Sequence, residues 1–402
     1  MKESLKGWLL RSRGLERAWG TVRKKQYVEE YRRRRDRYAA IAAERGLAYD
    51  ESQVIEAIRA RLARRGYSVK RKRQGEVHTF AFIPSYGWHR HLLPDLRALG
   101  PLSAYDYRER GYDWNVFWSR TPAALEARRD MHGEALAAMR AVHKERPIDW
   151  VFVYASGIEV SPAMLRTITT ELGVPVVNMC LDDKNSWESA PIDGARGGQI
   201  DVAREFDLSW TSARVAAEWY LAEEGRPIYM PEGYDEAAYH PLEVKQDLGV
   251  SFLGAAYGFR TSVIEYLRRE GISVSTFGAG WPGSSWAKEP AEVFCRSAIN
   301  LGMGGIGYSE ELTNVKGRDF EIPGCGGGVY LTTFNADLAQ HFDVGREILC
   351  YSGRDEMLEL IRYYLAHPAE AAAIGRRARE RSVREHRWLH RYEKVCRILG
   401  IL

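Results

Sequence analysis

From Val77 onward, short apolar runs alternate with stretches whose apolar residues return every three or four positions. The runs have strand length and read as strands buried on both faces; the longer stretches read as amphipathic helices. The first series predicts a strand at 77–83, a loop at 84–91 and a helix at 92–99 stopped by Gly100. A helix over 123–143, ended by Arg146-Pro147, leads to a strand at 150–154, a helix at 162–172 and a strand at 174–181 that closes on Asp182-Asp183. A strand at 208–211, a helix at 213–224 and a strand at 227–230 complete it. Residues 231–241 read as a linker. A second series follows: strand 250–253, helix 261–269, strand 274–277, helix 291–297 and strand 329–333. Apolar faces then mark a helix at 357–365 and a final one carrying Trp388, Leu389, Tyr392, Val395, Cys396 and Leu399. Repeated strand–helix alternation implies doubly wound parallel sheets. Ligands of such sheets sit outside the carboxyl ends of the strands, so chemistry is sought in the loops that follow strands.

The first 75 residues follow another pattern. Leu5, Trp8, Leu15, Trp19 and Val22 recur at helical spacing among Arg11, Arg13, Arg17, Arg23 and Lys24, predicting a basic amphipathic helix interrupted by Gly7, Gly14 and Gly20. A second helix is expected over 25–45, containing Arg32 to Arg35, and a third around Val54, Ile55, Ile58 and Leu62. Charge sharpens the picture. Residues 1–75 hold 22 Lys and Arg against 9 Asp and Glu, or +13, so the remainder of a chain with net charge +4 carries −9. Such a surplus speaks of partners rather than of fold. Three occupants fit it. One is the chain's own body or a second subunit. Another is an anionic membrane surface against residues 1–45, suited to Trp and Leu beside Arg. Nucleic acid is the third, but no reading module follows the basic charge, and no nucleic-acid partner is expected.

Composition changes little. A chain of 402 residues, 45% hydrophobic and 28% charged, is long enough for two domains with separate cores. Cys180, Cys295, Cys325, Cys350 and Cys396 are scattered, odd in number and free of CxxC spacing, which suggests a reducing compartment without a disulfide framework or structural zinc. Trp8-Leu9-Leu10 is too short for the apolar core of a signal peptide, and no stretch approaches the roughly 18 apolar residues of a membrane span. A cytoplasmic location, peripheral on the inner membrane face if the basic helices dock there, is the expectation.

The densest candidate chemistry lies in Lys316-Gly317-Arg318-Asp319-Phe320-Glu321-Ile322-Pro323-Gly324-Cys325-Gly326-Gly327-Gly328. Lysine and arginine neutralise a diphosphate, and the arginine fork grips two oxygens. A carboxylate accepts hydrogen bonds from two ribose hydroxyls. Glycines let backbone approach a phosphate. The plainer alternative is a salt bridge at three-residue spacing, Arg318 with Glu321, followed by a loop. Pro323 disfavours a long regular helix, so Glu321 is expected near a helix start.

The flanks extend this motif. Lys-Gly-Arg-x-Phe-Glu-Ile-Pro-x-Cys-Gly-Gly precedes a strand, then Asn335-Ala336-Asp337-Leu338, Gly345-Arg346-Glu347-Ile348, Tyr351, and a helix with Tyr363-Tyr364-Leu365 before Pro368. Over roughly 300–392 the chain resembles the CgeB-like (spore maturation protein-like) glycosyltransferases, relatives of the GT-B group that includes family 4. A weaker likeness reaches back to Val77, and residues 1–75 have no counterpart. The resemblance implies an α/β GT-B fold: two Rossmann-like domains facing across a cleft, behind a basic helical extension. The expected boundaries are 1–75 for the extension, 76–240 for an acceptor domain, 241–385 for a nucleotide-sugar domain, and 386–402 for a terminal helix crossing back to the first domain. It also implies transfer of a sugar from a nucleoside-diphosphate sugar, as co-substrate, to an acceptor hydroxyl, with retention of configuration and without a bound metal or cofactor.

The same resemblance weights particular loops. Lys316, Arg318, Glu321, Gly326 and Gly327 are the expected donor contacts. Gly254 and Arg260 follow the strand at 250–253, where the family also has an arginine; a lone glycine there is otherwise only a turn. Gly278 and Gly280 follow the next strand, with Trp281 as pocket wall or packing. Gly302-Met303-Gly304-Gly305-Ile306-Gly307 lacks the spacing, the following helix and the acidic partner of a dinucleotide fingerprint. Many GT-B relatives carry two glutamates with seven residues between them. Glu321 matches the later one, but Thr313 occupies the place of the earlier. That departure shifts leaving-group stabilisation to Lys316 and Arg318. In the first domain, Asp182, Asp183 and His89 are the candidate catalytic groups on the acceptor side, to take a proton from the acceptor hydroxyl or to hydrogen-bond and orient the acceptor. Asp182-Asp183 also suits a helix N-cap or a metal pair. His89 shares its loop with Arg90 and His91, and Glu159 is a further acidic candidate. The acceptor is expected to be a carbohydrate or glycolipid. A non-catalytic sugar-nucleotide binder or scaffold of the same fold, and a sugar-nucleotide epimerase, are the rival readings.

Overall fold

Strands that are apolar on both faces need cover on both faces, and a parallel sheet between layers of helices provides it. The computed structural model describes residues 13–68, 71–84, 87–189, 191–192 and 194–402; the side chains of 13–21, 114 and 115 fall outside that description. One sheet contains β1 (Thr79–Phe82), β2 (Leu102–Tyr105), β3 (Trp150–Val153), β4 (Val176–Cys180), β5 (Leu208–Thr211) and β6 (Pro227–Tyr229). Its order is β2-β1-β3-β4-β5-β6, all parallel, with Thr79 beside Trp150 and Val177 beside Leu208. Side chains alternate between two cores. Ala81, Trp150, Phe152, Val177, Leu208 and Trp210 pack in the core shared by the helices Glu51–Arg64, Leu93–Leu99 and Trp388–Leu399. Phe80, Phe82, Val151, Val153 and Val176 pack with Pro122–Glu145 and Pro162–Thr167.

The second sheet contains β7 (Leu248–Leu253), β8 (Val274–Phe277), β9 (Ser297–Leu301), β10 (Val329–Thr333) and β11 (Leu349–Tyr351), ordered β11-β10-β9-β7-β8 and again parallel. Val250, Phe252, Ile299, Leu301, Val329 and Leu331 share a core with the helices Arg260–Arg269, Arg354–Ala366 and Pro368–Glu385. The chain divides into two compact units. The described residues up to Arg34 group with 236–386, and 35–235 group with 387–402. The terminal helix Trp388–Leu399 belongs to the first sheet's unit, where Trp388, Tyr392, Val395, Cys396, Ile398 and Leu399 are buried. Burying an aliphatic side chain of this kind stabilises by about 1.5–3 kcal/mol.

Several elements differ from expectation. Among the described residues, the helix Arg13–Arg45 runs without a break through the boundary expected between the first two helices, and Gly14 and Gly20 lie within it. An interior glycine costs about 1 kcal/mol. Burial of Val28, Tyr38 and Ala42 along one side of the same helix offsets this. Leu5, Gly7, Trp8 and Arg11 lie outside the described residues. The described residues of 1–75, the expected extension, are divided between the two units, with the division at Arg34–Arg35. The strands β2, β9 and β11 were not visible as apolar runs. In the predicted helix 291–297, Ser297 takes an extended conformation (φ −92°, ψ 134°), so the helix Pro290–Arg296 passes directly into β9. The predicted helix 162–172 is α-helical over Pro162–Thr167 and continues as a π turn, Ile168–Leu172.

Candidate functional site

In the second sheet's unit, the carboxyl ends of β7, β8, β9 and β10 define one edge. The helix Arg318–Cys325 starts in the segment after β9. Glu321 lies in its first turn and Pro323 within it, which keeps the helix to eight residues. Arg318 and Glu321 form an ion pair on this turn. The Tyr239 hydroxyl bonds with both, and the Arg318 guanidinium stands over the Phe294 ring at 5.5 Å. Burial opposes the charge of Arg318, but Glu321 and Tyr239 outweigh it and raise its pKa. Arg260 opens the helix after β7. Its guanidinium lies over Tyr257 at 4.3 Å and Phe252 at 5.6 Å. Its Nη1 reaches the Ala255 carbonyl at 3.3 Å, and its Nε is buried without a hydrogen-bond partner. Burial lowers its pKa, and the charge of Arg318 lowers it further. Two guanidiniums that repel each other at low solvation favour an anion between them.

Asp319 does a different job. Its carboxylate accepts the Lys316 backbone N–H at 2.7 Å and the Tyr330 hydroxyl at 2.6 Å, so it ties the helix start to β10. Burial pushes its pKa up to about 6, against the lowering effect of those bonds. Lys316 is half-buried beside it. Thr313, at the place of the missing glutamate, pairs with Gly305 in an antiparallel bridge. The departure therefore falls on a small hairpin, in which Ile306 N–H donates to Leu312 and Asn314 N–H to Gly304.

The glycines divide. Gly254 stands at the carboxyl end of β7, and Gly278 at that of β8. Gly254 N–H donates to Phe277 at 2.8 Å, and its carbonyl accepts the Trp281 indole N–H at 2.7 Å. Gly278 has φ +128°, and a Cβ there would lie 2.5 Å from the Gly254 oxygen. Gly280 has φ +85° and packs on Ala256. These glycines let two strand-end loops lie backbone to backbone at the site edge. Gly326 and Gly327 correct the phosphate-cradle expectation. They lie between the helix Arg318–Cys325 and β10, at the amino end of the strand, away from the edge where parallel sheets bind ligands. Gly326 caps the helix at φ +64° against Arg379. Gly327 packs on the Cys295 backbone. Close approach is indeed their purpose, but the neighbour is protein.

In the first sheet's unit, His89, Tyr154 and Asp182 follow β1, β3 and β4. His89 is buried, with its ring 4.3 Å from Trp88 and 5.0 Å from Tyr154. Asp182 occupies the N-cap position of the short helix Asp183–Ser186, where its side chain makes no capping hydrogen bond, and is partly exposed. Burial raises the Tyr154 pKa, and Asp182 and Glu232 raise it further, so the two carboxylates lie near this phenol. Asp183 is corrected from acceptor contact to buried anchor. It accepts hydrogen bonds from Thr211 and from Tyr220, the latter at 2.7 Å, and burial pushes its pKa up to about 6. Glu159 likewise closes its own loop by accepting Ser156 N–H at 2.8 Å and Ser156 O–H at 2.7 Å. His91 pairs with Asp235, its Nδ1 lying 3.0 Å from the carboxylate. Sequence reasoning missed Tyr239, Tyr154, Glu232 and Asp235; three of the four stand at or just beyond β6, in or beside the supposed linker. Among the described residues no group of three His, Cys, Asp or Glu side chains is arranged to hold a metal ion. No helix among them is long and apolar enough to cross a membrane.

Residues 260–397 match the family model described as Glycosyl transferase-like, a span that includes Arg260, Arg318 and Glu321. No curated protein matches in sequence. Among solved structures the chain is similar to sucrose-phosphate synthase from Thermosynechococcus elongatus, at 12% identity and TM-score 0.56 over 81% of this chain and 99% of that one. It is similar to Anabaena HepE in complex with UDP-glucose, at 10% identity and TM-score 0.53 over 81% and 100%. It also resembles the N-terminal domain of Candida albicans trehalose-6-phosphate phosphatase, at 9% identity and TM-score 0.51 over 82% and 98%. At such identities the likeness is one of fold, and the fold, with its two parallel sheets, is GT-B.

Proposed function

We propose that this chain transfers a sugar from a nucleoside-diphosphate sugar to an acceptor hydroxyl. The observation that carries this reading is the pairing of Arg318 with Glu321 on the first turn of a helix at the carboxyl edge of a parallel sheet, within range of the charge of a half-buried Arg260. The glycosyl transferase-like match over the same residues and the UDP-glucose complex of HepE support it. In this reading Glu321 accepts the ribose hydroxyls, while Arg260, Arg318 and Lys316 hold the diphosphate. As the glycosyl bond breaks, negative charge grows on the departing diphosphate, and fixed cations in a poorly solvated site stabilise it. The helix start adds N–H dipoles of the same sign.

On the acceptor side we assign Asp182, with Glu232 beside Tyr154, to contacts with sugar hydroxyls, and His89 to packing against that cluster. Membership of the CgeB-like group, retention of configuration, metal-independent donor binding, and a surface-polysaccharide or glycolipid acceptor at the inner membrane face belong to the same proposal. Any lipid contact falls to residues up to the exposed Val22, because the apolar side of the following helix segment is buried within the protein at Val28, Tyr38 and Ala42. Thr313 in place of a carboxylate favours one second reading, a non-catalytic sugar-nucleotide binder. Incubating the protein with labelled nucleotide sugars separates the two: the enzyme releases nucleoside diphosphate by transfer or slow hydrolysis, whereas a binder retains the donor unchanged.

A further inference from the structure

We infer that Tyr27, on the N-terminal helix, is a positioning residue for the anion-binding arginine Arg260; the inference rests on the donor-site reading above. Arg260 is directed mainly by the Tyr257 ring at 4.3 Å, since its one hydrogen bond, to the Ala255 carbonyl, is 3.3 Å long and its Nε is buried without a hydrogen-bond partner. Whatever fixes Tyr257 therefore helps to fix the guanidinium. Tyr308 meets Tyr257 edge-on, with ring centroids 5.4 Å apart and planes at 77°. Tyr308 itself has φ +63°, a backbone conformation that a bulky residue seldom adopts unless its surroundings impose it. Those surroundings are visible. A Cβ on Gly258 would lie 3.0 Å from Tyr308 Cα, so this glycine admits the tyrosine. On the other side Tyr27 stacks on Tyr308 at 6.2 Å and 25°. A Cβ on Gly307 would lie 3.0 Å from Tyr27 Cβ, so that contact is equally close.

The same helix grips the hairpin a second time. Lys24 and Arg32 reach Glu311 at 3.4 and 3.3 Å. Each bridge is exposed and weak alone. Together they fix the register of the helix on the segment that carries Tyr308, by way of Glu311, two residues before Thr313. Tyr27, Tyr308, Tyr257 and Arg260 thus form a continuous stack from the helix to the site edge. An aromatic pair is worth about 0.5–1.5 kcal/mol beyond its buried area. Losing the outermost pair therefore weakens diphosphate binding about three- to tenfold if the stack positions Arg260.

The test uses the full chain with UDP, the diphosphate of the HepE complex, and with inorganic pyrophosphate as probes. Binding is measured by calorimetry for wild type, Tyr27→Ala, Tyr27→Phe, Arg260→Ala and the double variant Tyr27→Ala/Arg260→Ala. Amide hydrogen exchange over 255–261 and 303–314 is followed in parallel. Tyr27→Ala is expected to weaken binding about three- to tenfold, Tyr27→Phe to restore it, and the Tyr27 change to have no further effect once Arg260 is gone. Exchange at 255–261 is expected to rise in Tyr27→Ala but not in Tyr27→Phe. Equal losses from Tyr27→Ala with and without Arg260, or unchanged exchange at 255–261, would overturn the inference. If wild type binds neither probe, the donor-site reading fails. The exchange result then still decides whether Tyr27 orders the Arg260 loop.

Discussion

Gly327→Ala separates a phosphate cradle from a packing contact. A Cβ at this position would fall inside the contact radius of Cys295 Cα and 3.1 Å from the carbonyl oxygens of Cys295 and Phe294. Ordinary contact begins near 3.4 Å, and all three obstructing atoms are backbone, in the last turn of the helix Pro290–Arg296 that runs directly into β9. They have no rotamer to change. Overpacking typically costs about 1–3 kcal/mol, and a backbone obstruction puts this substitution at the upper end. For a unit of this size each kcal/mol moves Tm by about 2–4 °C, so a fall of about 6–12 °C is expected. Gly345→Ala is the control: its φ is +87°, but nothing lies within 4 Å of the added carbon, leaving only a left-handed backbone penalty of about 1–2 kcal/mol. The assay is thermal unfolding of both variants, paired with nucleotide affinity measured well below the transition. Affinity of the folded Gly327→Ala protein is expected within about twofold of wild type, since Gly327 is remote from the strand ends that bind ligand. An unchanged Tm with lost affinity would refute this reasoning and return the glycines to the phosphate.

Two further predictions concern charge. Burial pushes Asp319 up to about 6, above the ordinary carboxylate value, so its proton is held more tightly in the folded chain than in the unfolded one. Its contribution to stability is present at pH 4 and lost as pH rises through 6, at about 1.4 kcal/mol per unit of elevation. Asp319→Asn should therefore gain stability relative to wild type between pH 4 and 7, read as a widening Tm difference; a pH-independent difference contradicts the assignment. Removing residues 1–21 should abolish salt-sensitive sedimentation with anionic vesicles while leaving Tm within about 2 °C, because Tyr27, Val28, Tyr38 and Ala42, which pack the helix onto the protein, all remain. Sedimentation that ignores both salt and the deletion removes the membrane from the account.

Fold and site were unequally legible in the sequence. Val250, Phe252, Val329 and Leu331 announce strands because both faces of a covered parallel sheet are apolar. The β2 segment Leu102–Tyr105 does not, since it is an edge strand with a partly exposed face. Nor does β9, whose Ser297 and Asn300 are buried polar residues satisfied by bonds to Val293 and Phe294 carbonyls. Arg318 and Glu321 could be paired from spacing alone. Asp183 could not be recognised as an anchor, because Thr211 and Tyr220 stand 28 and 37 residues away. Gly326 and Gly327 were misread for a physical reason: tight approach to a phosphate and tight approach to a neighbouring chain leave the same residue in the sequence.

Calorimetric binding of UDP, GDP, ADP, CDP and TDP to wild type and to Glu321→Ala decides whether the donor site exists. One of the five is expected to bind well, and Glu321→Ala to weaken it by about tenfold or more, as when a carboxylate loses its bonds to ribose hydroxyls. Failure of all five to bind, or equal binding by both proteins, would contradict a nucleotide-sugar site organised around Arg318 and Glu321.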